Sequence, residues 1–339
     1  MTMTASPPVP PPPELLDRVL ASSSLLLCSH ANPDGDAIGT ELGLARILRA
    51  LGKRVVIWNR DRHPTVFAAI PEVGEIHVGP LAPASFPRDV DTTVVLECPS
   101  LDRTGLEREL VQGPPLLNID HHLGNEAYGA IDWVDVAAPA VGEMVWRLAE
   151  ALEAPIEPFT AEALYIALAS DTGGFRFSNA TPRAFQAAAA MVRAGAQPER
   201  AAYVLWEQRP AAALRLLAGL LESLELHDDG TIATAVLSEE TFRHAGAVPE
   251  DAEGLIDVPR SIAGVEAVAL LREIPGGRLK ASLRSRGVLD VAAVANRHGG
   301  GGHRNAAGCV LHGGTDDWRR RLAVELAAAR RSAPATAVR

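Results

Sequence analysis

The segment His30-Ala-Asn-Pro-Asp34-Gly-Asp36 places one imidazole and two carboxylates within a few residues of one another. Mixed nitrogen and oxygen donors of this kind suit divalent ions such as Mn²⁺. Gly35 permits a tight backbone between the two aspartates, so their carboxylates can point at two different ions, and Pro33 stiffens the approach. Taken alone, the segment reads as readily as a solvated turn with a helix cap. Three further positions have the same ambiguity. Asp120-His121-His122 follows the apolar run Leu116–Ile119, where polar rings beside apolar packing are costly unless used. Glu97 ends the apolar run Val94-Val95-Leu96, and Asp171 opens the turn Asp171-Thr172-Gly173-Gly174. Each alone is more often a cap or turn residue than a ligand.

The elements that must position these residues bring them together. Leu25–His30, Arg54–Trp58, Thr92–Leu96 and Leu116–Ile119 are short apolar, strand-like runs. Between and after them, Ile38–Leu51, Val141–Leu152 and Ala161–Ala169 show helical spacing, as with Ile38, Leu42, Ala45 and Leu48 on one face. Buried strands alternating with helices imply an α/β fold, with a parallel sheet covered on both faces. In such sheets sites gather at the carboxyl ends of the strands. His30, Asp34, Asp36, Glu97, Asp120, His121 and His122 all fall there, and Asp171 follows a helix. Four bland explanations would have to coincide for this to be accidental.

A second region begins after an alanine-rich helical stretch. Thr231–Leu237, Val265–Glu273 and Leu279–Arg284 read as strands, Val291–Arg297 and Trp318–Arg330 as helices, with Gly299-Gly300-Gly301-Gly302 between. The expected organisation is a Pro-rich disordered tail over 1–13, a catalytic domain over 14–185, a helical connector over 186–228, and a smaller α/β domain with a mixed sheet over 229–332. Successive glycines let backbone N–H groups approach a phosphate closely, and Arg284 on a neighbouring strand is a forked cation suited to phosphate. The same glycines would also serve as a tight turn.

Composition narrows the partners. Thirty-two basic against forty-two acidic residues give a formal charge of −10, which argues against wrapping long DNA. Aromatics are 4% of the 339 residues, leaving few stacking platforms for a long strand. Cys28, Cys98 and Cys309 are too far apart for a C-x-x-C site or a disulfide framework, and a cytoplasmic location fits them. No signal peptide and no membrane span is expected. The G-x-G-x-x-G of a dinucleotide site does not follow the first strand.

The segments HANPDGDAIG, VVLECPSLDRTG, NIDHHLGN and ASDTGGFRFS, in that order, resemble the four motifs of the DHH phosphoesterases. LKASLRSRG and HGGGGHRNAAG resemble the DHH-associated domain, so the likeness runs from about Leu15 to about Arg330. The pattern is most similar to the compact nano-RNase and pAp-phosphatase branch. RecJ exonucleases carry additional domains, and membrane-bound cyclic-dinucleotide hydrolases carry transmembrane and sensor segments. The resemblance implies one ion held by His30, Asp34 and Glu97, and another by Asp36, Glu97, His121 and Asp171. It implies two Mn²⁺ per chain, with Mg²⁺ or Co²⁺ as substitutes. Asp120 would orient a ligand and His122 would face the scissile phosphate, the two acting in catalysis. Arg284, Gly300, Gly301, Gly302 and His303 would bind substrate in a cleft between the domains.

The family usually has Asp where this chain has Glu97. The expected function is hydrolysis of short oligoribonucleotides or of 3′-phosphoadenosine 5′-phosphate by metal-activated water. Linear or cyclic signalling dinucleotides are the alternative substrates, and a catalytically weakened nucleotide-binding regulator is the reading from another class. A homodimer stays open as an assembly.

Overall fold

The computed structural model describes residues 7–80 and 89–332. The chain forms two compact units, Met1–Gln208 and Arg209–Arg339. The first contains helices α1 (Pro13–Ala21), α2 (Gly35–Ala50), α3 (Arg108–Val111), α4 (Val141–Ala151), α5 (Pro158–Asp171), α6 (Pro182–Arg193) and α7 (Pro198–Trp206). Its strands are β1 (Ser24–Cys28), β2 (Arg54–Asn59), β3 (His77–Val78), β4 (Thr92–Leu96), β5 (Leu116–Asp120) and β6 (Ile131–Val134). They form one parallel sheet in the order β3-β2-β1-β4-β5-β6. Every residue of β1, β4 and β5 is buried, which is why these strands read as continuous apolar runs rather than alternating ones.

The two faces of this sheet are unequally covered. The main core lies on one face, where β1 and β4 meet residues of α2, α4 and α5. The other face carries a smaller cluster around Leu26, Val95, Leu101 and Val111. Helix α2 is buried nearly all round, where its sequence suggests one apolar face. Gly39 and Gly43 lie one turn apart and let α5 approach: a Cβ on Gly39 would come 2.4 Å from the Ala163 carbonyl oxygen. Leu164 would sit 2.5 Å from one on Gly43.

The tail expected over 1–13 differs from a disordered one wherever it is described. Residues 1–6 lie outside the described residues. Beyond them, Val9 donates its N–H to Asp135 and accepts from the Trp133 indole and Arg147, and Pro13 already begins α1. Buried indole and carboxylate groups supply the partners that composition could not reveal. The stretch expected as a connector over 186–228 is divided instead: α6 and α7 belong to the first unit, and α8 (Ala211–Glu222) to the second.

The second unit adds α9 (Glu239–Ala245), α10 (Asp257–Arg260), α11 (Val291–Asn296) and α12 (Thr315–Ser332). Its strands are β7 (Glu225–His227), β8 (Ile232–Leu237), β9 (Ala267–Ile274), β10 (Arg278–Ser285), β11 (Gly301–His303) and β12 (Ala306–His312). The sheet order is β11-β12-β10-β9-β8-β7, mixed because only β8 and β9 pair in parallel. On β10 the residues alternate, with Leu279, Ala281 and Leu283 in the core under α11 and α12. Among the described residues no helix is long and apolar enough to cross a membrane.

Gly39→Ala tests the close helix contact. Its new methyl group meets backbone on α5, which cannot step aside as a side chain could. The expected loss is about 1–3 kcal/mol of stability, measured by denaturant titration. An unchanged midpoint would mean that α2 and α5 are not held this tightly.

Candidate metal centre

In the sheet order, β1 and β4 are neighbours whose connections run outward in opposite directions. Such a reversal opens a crevice at the carboxyl ends of the strands. His30 leaves β1 into it, and Glu97 leaves β4. The His30 Nδ1–H donates to the Ala31 carbonyl at 2.8 Å, which leaves Nε2 for the site. That atom lies 2.5 Å from Glu97 Oε2, which has no aligned hydrogen-bond donor although it is buried. Glu97 itself has φ +54°, a left-handed conformation uncommon outside glycine. Burial pushes its carboxyl well above the usual range, and the charges of Asp34 and Asp36 push the same way.

Asp34 serves as the N-cap of α2: its Oδ1 accepts from the N–H groups of Asp36 and Ala37. The cap and the candidate ligand are therefore the same residue. Asp36, fully buried, accepts from the N–H groups of Val141 and Gly142 at 2.7 and 3.0 Å and from the Thr40 hydroxyl at 2.9 Å. Even so, burial and the nearby Asp171 charge raise its pKa to about 7. Asp171, the last residue of α5, is raised to about 6, first by burial, with His121 opposing the rise.

His121 stands among these carboxylates. Its Nδ1–H donates to the Ala138 carbonyl at 3.1 Å. Its Nε2 is 3.9 Å from Asp36, 4.0 Å from Glu97 and 3.8 Å from Asp171. These separations are too long for hydrogen bonds; the ligand atoms of Asp36, His121 and Asp171 lie within 4.8 Å of one another, whereas Glu97 groups with His121 and His122. Burial works against a charge on the imidazole, yet Asp36 and Asp171 outweigh it and raise the pKa to about 9. Among the described residues, Asp120 makes no side-chain hydrogen bond to His121. Its Oδ1 accepts from His122 Nδ1–H at 2.8 Å and its Oδ2 from Asn125 at 2.6 Å, so it orients His122, whose Nε2 lies 3.4 Å from Glu97. Those hydrogen bonds overcome burial and hold the Asp120 carboxyl below its ordinary value.

The structure thus brings His30, Asp34, Asp36, Glu97, Asp120, His121, His122 and Asp171 to one crevice. Three groups of them could each hold a metal ion, with ligand atoms within 4.8 Å of one another: His30, Asp34 and Glu97; Asp36, His121 and Asp171; and Glu97, His121 and His122. Sequence reasoning missed the supports. Thr40 and the N-terminal amides of α4 hold Asp36, Asn179 reaches Asp171 at 3.3 Å, and Asn125 steadies Asp120. Only Asn125 had a signal, as the end of NIDHHLGN; backbone groups have none.

In the second unit Arg284 is half-buried on β10, opposite Ala306 of β12. His303 ends β11, and its side chain lies outside the described residues. A Cβ on Gly300 would come 2.2 Å from the Gly308 oxygen, and one on Gly302 would come 2.5 Å from the Ala306 oxygen. These glycines are thus demanded by close contact with β12, whereas Gly301 is open apart from Asn296 at 3.6 Å.

Asp36→Ala would leave two buried amides and a hydroxyl without their acceptor, each costing about 1–3 kcal/mol. Relief of charge repulsion opposes this, but little at pH 5, where a carboxyl titrating near 7 is mostly protonated. The expected result at pH 5 is a lower calorimetric unfolding midpoint for metal-free Asp36→Ala than for wild type, with Asp36→Asn in between. A midpoint equal to or above wild type would show that the hydrogen bonds do not stabilise the crevice.

Comparison with known proteins bears on what this crevice belongs to. Residues 24–168 match the model of the DHH family N-terminal domain, and residues 229–327 that of the DHHA1 domain. The bifunctional oligoribonuclease and PAP phosphatase NrnA of Thermus thermophilus is 33% identical over 295 residues, covering 85% of this chain and 84% of that protein. The fold is similar to that of an exopolyphosphatase-related protein from Bacteroides fragilis, with a TM-score of 0.82 at 24% identity over 92% of this chain and 93% of the other. An exonuclease RecJ solved with manganese shares the fold more distantly, with a TM-score of 0.51 at 15% identity over 95% and 94% of the two chains. With both family domains in place and a relative this similar along most of its length, the chain belongs to the DHH family and is a phosphoesterase.

Proposed function

We propose that the chain hydrolyses short oligoribonucleotides and 3′-phosphoadenosine 5′-phosphate at a pair of Mn²⁺ ions, with Mg²⁺ or Co²⁺ able to replace them. The observation that carries this reading is the position of Glu97, which groups with His30 and Asp34 on one side and with His121 and His122 on the other, beside the group of Asp36, His121 and Asp171. His30, Asp34 and Glu97 would hold one ion, and Asp36, Glu97, His121 and Asp171 would hold the other. The substrate class is supported by the activity named for the Thermus thermophilus relative. A reducing cytoplasm suits the three buried, unbridged cysteines.

Bound ions of this kind supply Lewis acidity toward phosphoryl oxygens and lower the pKa of water. The protein's own part is positional. The Ala31 and Ala138 carbonyls fix the tautomers of His30 and His121, so that both Nε2 lone pairs face the site. Asp120 fixes His122 likewise, leaving its Nε2 to hold a proton or to bond a phosphate oxygen. Arg284 binds substrate phosphate from the second unit, together with His303 and the open Gly301.

Metal content and pH test the centre together. Asp36 and Asp171 titrate in the folded protein near 7 and 6, above their unfolded values, so the native state binds more protons than the unfolded one. His121, at about 9, does the same above its unfolded pKa. Stability from these groups is therefore present at low pH and is lost as pH rises between about 4 and 9. Metal-free protein should melt progressively lower across that window, and added Mn²⁺ should raise the midpoint most at its alkaline end. Elemental analysis should find two ions per chain, and chelation should abolish hydrolysis of a chromogenic phosphodiester. Full activity in chelator would end the two-metal reading, and a metal-loaded protein without activity would favour a nucleotide-binding regulator.

Chain length of substrate is the second test. With a charge of −10 and 4% aromatics, the protein gains little from the base stacking and backbone contacts that retain long strands. Turnover should fall steeply beyond about five nucleotides. Digestion of a strand of about thirty nucleotides at the trinucleotide rate would contradict this, and preference for cyclic dinucleotides would reassign the substrate.

A further inference from the structure

The sheet of the second unit places two cations directly opposite each other. Arg272 on β9 pairs in register with Lys280 on β10, and Arg284 lies two residues further along the same face of β10 beyond Ser282. Like charges facing across an antiparallel pair destabilise a sheet. Among the described residues none of the three forms an ion pair, and Asp257 is the carboxylate whose charge acts on Arg284. Arg272 donates to the Pro249 carbonyl at 3.0 Å and keeps a buried Nε without a partner. Among the described residues, Arg284 donates only to the Leu283 carbonyl, at 3.1 Å. Burial, opposed by Asp257 and reinforced by Arg260, lowers the Arg284 pKa, so the fold holds this guanidinium against its own preference for water.

These residues and Ser282 form one side of a groove of about 450 Å³, closed on the other side by the segment 249–256. That volume is within the range of small-ligand sites. The opposite wall differs in chemistry. Pro249, Ala252 and Ile256 are apolar, while Glu250 and Glu253 offer acceptors. Cations with a hydroxyl on one side, and apolar surface with acceptors on the other, match a phosphate joined to a sugar and base.

We propose that Arg272, Lys280 and Ser282 extend the second unit's Arg284 into a site for a nucleoside 5′-monophosphate group, with the phosphate between the two facing cations. The site rests on the reading of the chain as acting on short nucleotides, and it adds a second point of attachment within this unit. The cost of the like-charge pair is offset only when an anion lies between its members. Removing one cation therefore stabilises the sheet and weakens the ligand.

Calorimetric titration of the full chain, freed of metal so that nothing is hydrolysed, tests this with adenosine 5′-monophosphate, adenosine and inorganic phosphate. The monophosphate should bind at least about tenfold tighter than either of the other two. Lys280→Gln, an exposed position that does not threaten folding, should weaken it about tenfold and raise the unfolding midpoint without ligand. Arg272→Gln should weaken it similarly. Mn²⁺-dependent hydrolysis of a small chromogenic diester by wild type reads the metal centre separately. Unchanged monophosphate affinity in both variants would overturn the site, and inorganic phosphate binding as tightly as the monophosphate would overturn the nucleotide assignment. If wild type fails to hydrolyse the diester while both variants lose the monophosphate, the metal reading falls and this site stands.

Discussion

Four carboxylates, Asp34, Asp36, Glu97 and Asp171, gather with the imidazoles of His30, His121 and His122 at one crevice, and much of the first unit's local structure answers their mutual repulsion. Asp36 and Glu97 are buried and Asp171 partly so, and each is pushed toward its neutral form by burial and by its neighbours. Unpaired buried charge is among the costliest features a fold can carry. The protein answers with donors that cannot move: the first amides of α2 on Asp34, those of α4 on Asp36, and the Thr40 hydroxyl. Helix N-termini favour negative charge through both free N–H groups and the aligned peptide dipoles. Two helices begin at the carboxylates for that reason.

Packing follows from the same requirement. For Asp171 on α5 to reach the neighbourhood of Asp36 on α2, those helices must lie closer than ordinary side chains permit. Gly39, Gly43 and Gly142 remove the Cβ atoms that would hold them apart. Leu164 and Ala167 of α5 occupy the space released. The close contact of glycine and alanine thus belongs to the site as much as to the core. A similar logic applies at Glu97, whose left-handed backbone accompanies a side chain that reaches His30, His121 and His122 together. Glu97 is held there in a backbone conformation that costs on the order of 1 kcal/mol.

The parts of this arrangement that could be read from residues alone are those carried by side-chain type and period. Continuous apolar runs marked β1, β4 and β5 because parallel strands are buried on both faces, and polar residues at their ends marked the crevice. What stayed hidden is carried by backbone. The Ala31 and Ala138 carbonyls and the Val141 and Gly142 amides could belong to any residue, so no letter announces them. Asp34 shows the opposite difficulty, since helix capping and metal ligation call for the same side chain. Asp120 is hydrogen-bonded to His122, while His121 is held by a carbonyl, and no residue type distinguishes those two partners in advance. The proline-rich start misled because composition does not show the Trp133 indole and Asp135 carboxylate that tie Val9 down.

The second unit repeats the principle with the sign reversed. A sheet selected only for stability would place Glu opposite Lys280, since opposite charges across strands stabilise and like charges do not. Arg272 stands there instead, with one nitrogen buried and unbonded. The first unit gathers excess negative charge at its crevice, and the second gathers excess positive charge along β9 and β10. Each is a local violation of what folding alone favours, and such violations concentrate where a protein meets its ligands. The overall charge of −10 conceals this, because a sum over the chain averages two opposed sites. Acidic composition thus leaves room for short polyanions: a few cations suffice for one or two phosphates, whereas a long strand needs a continuous basic track.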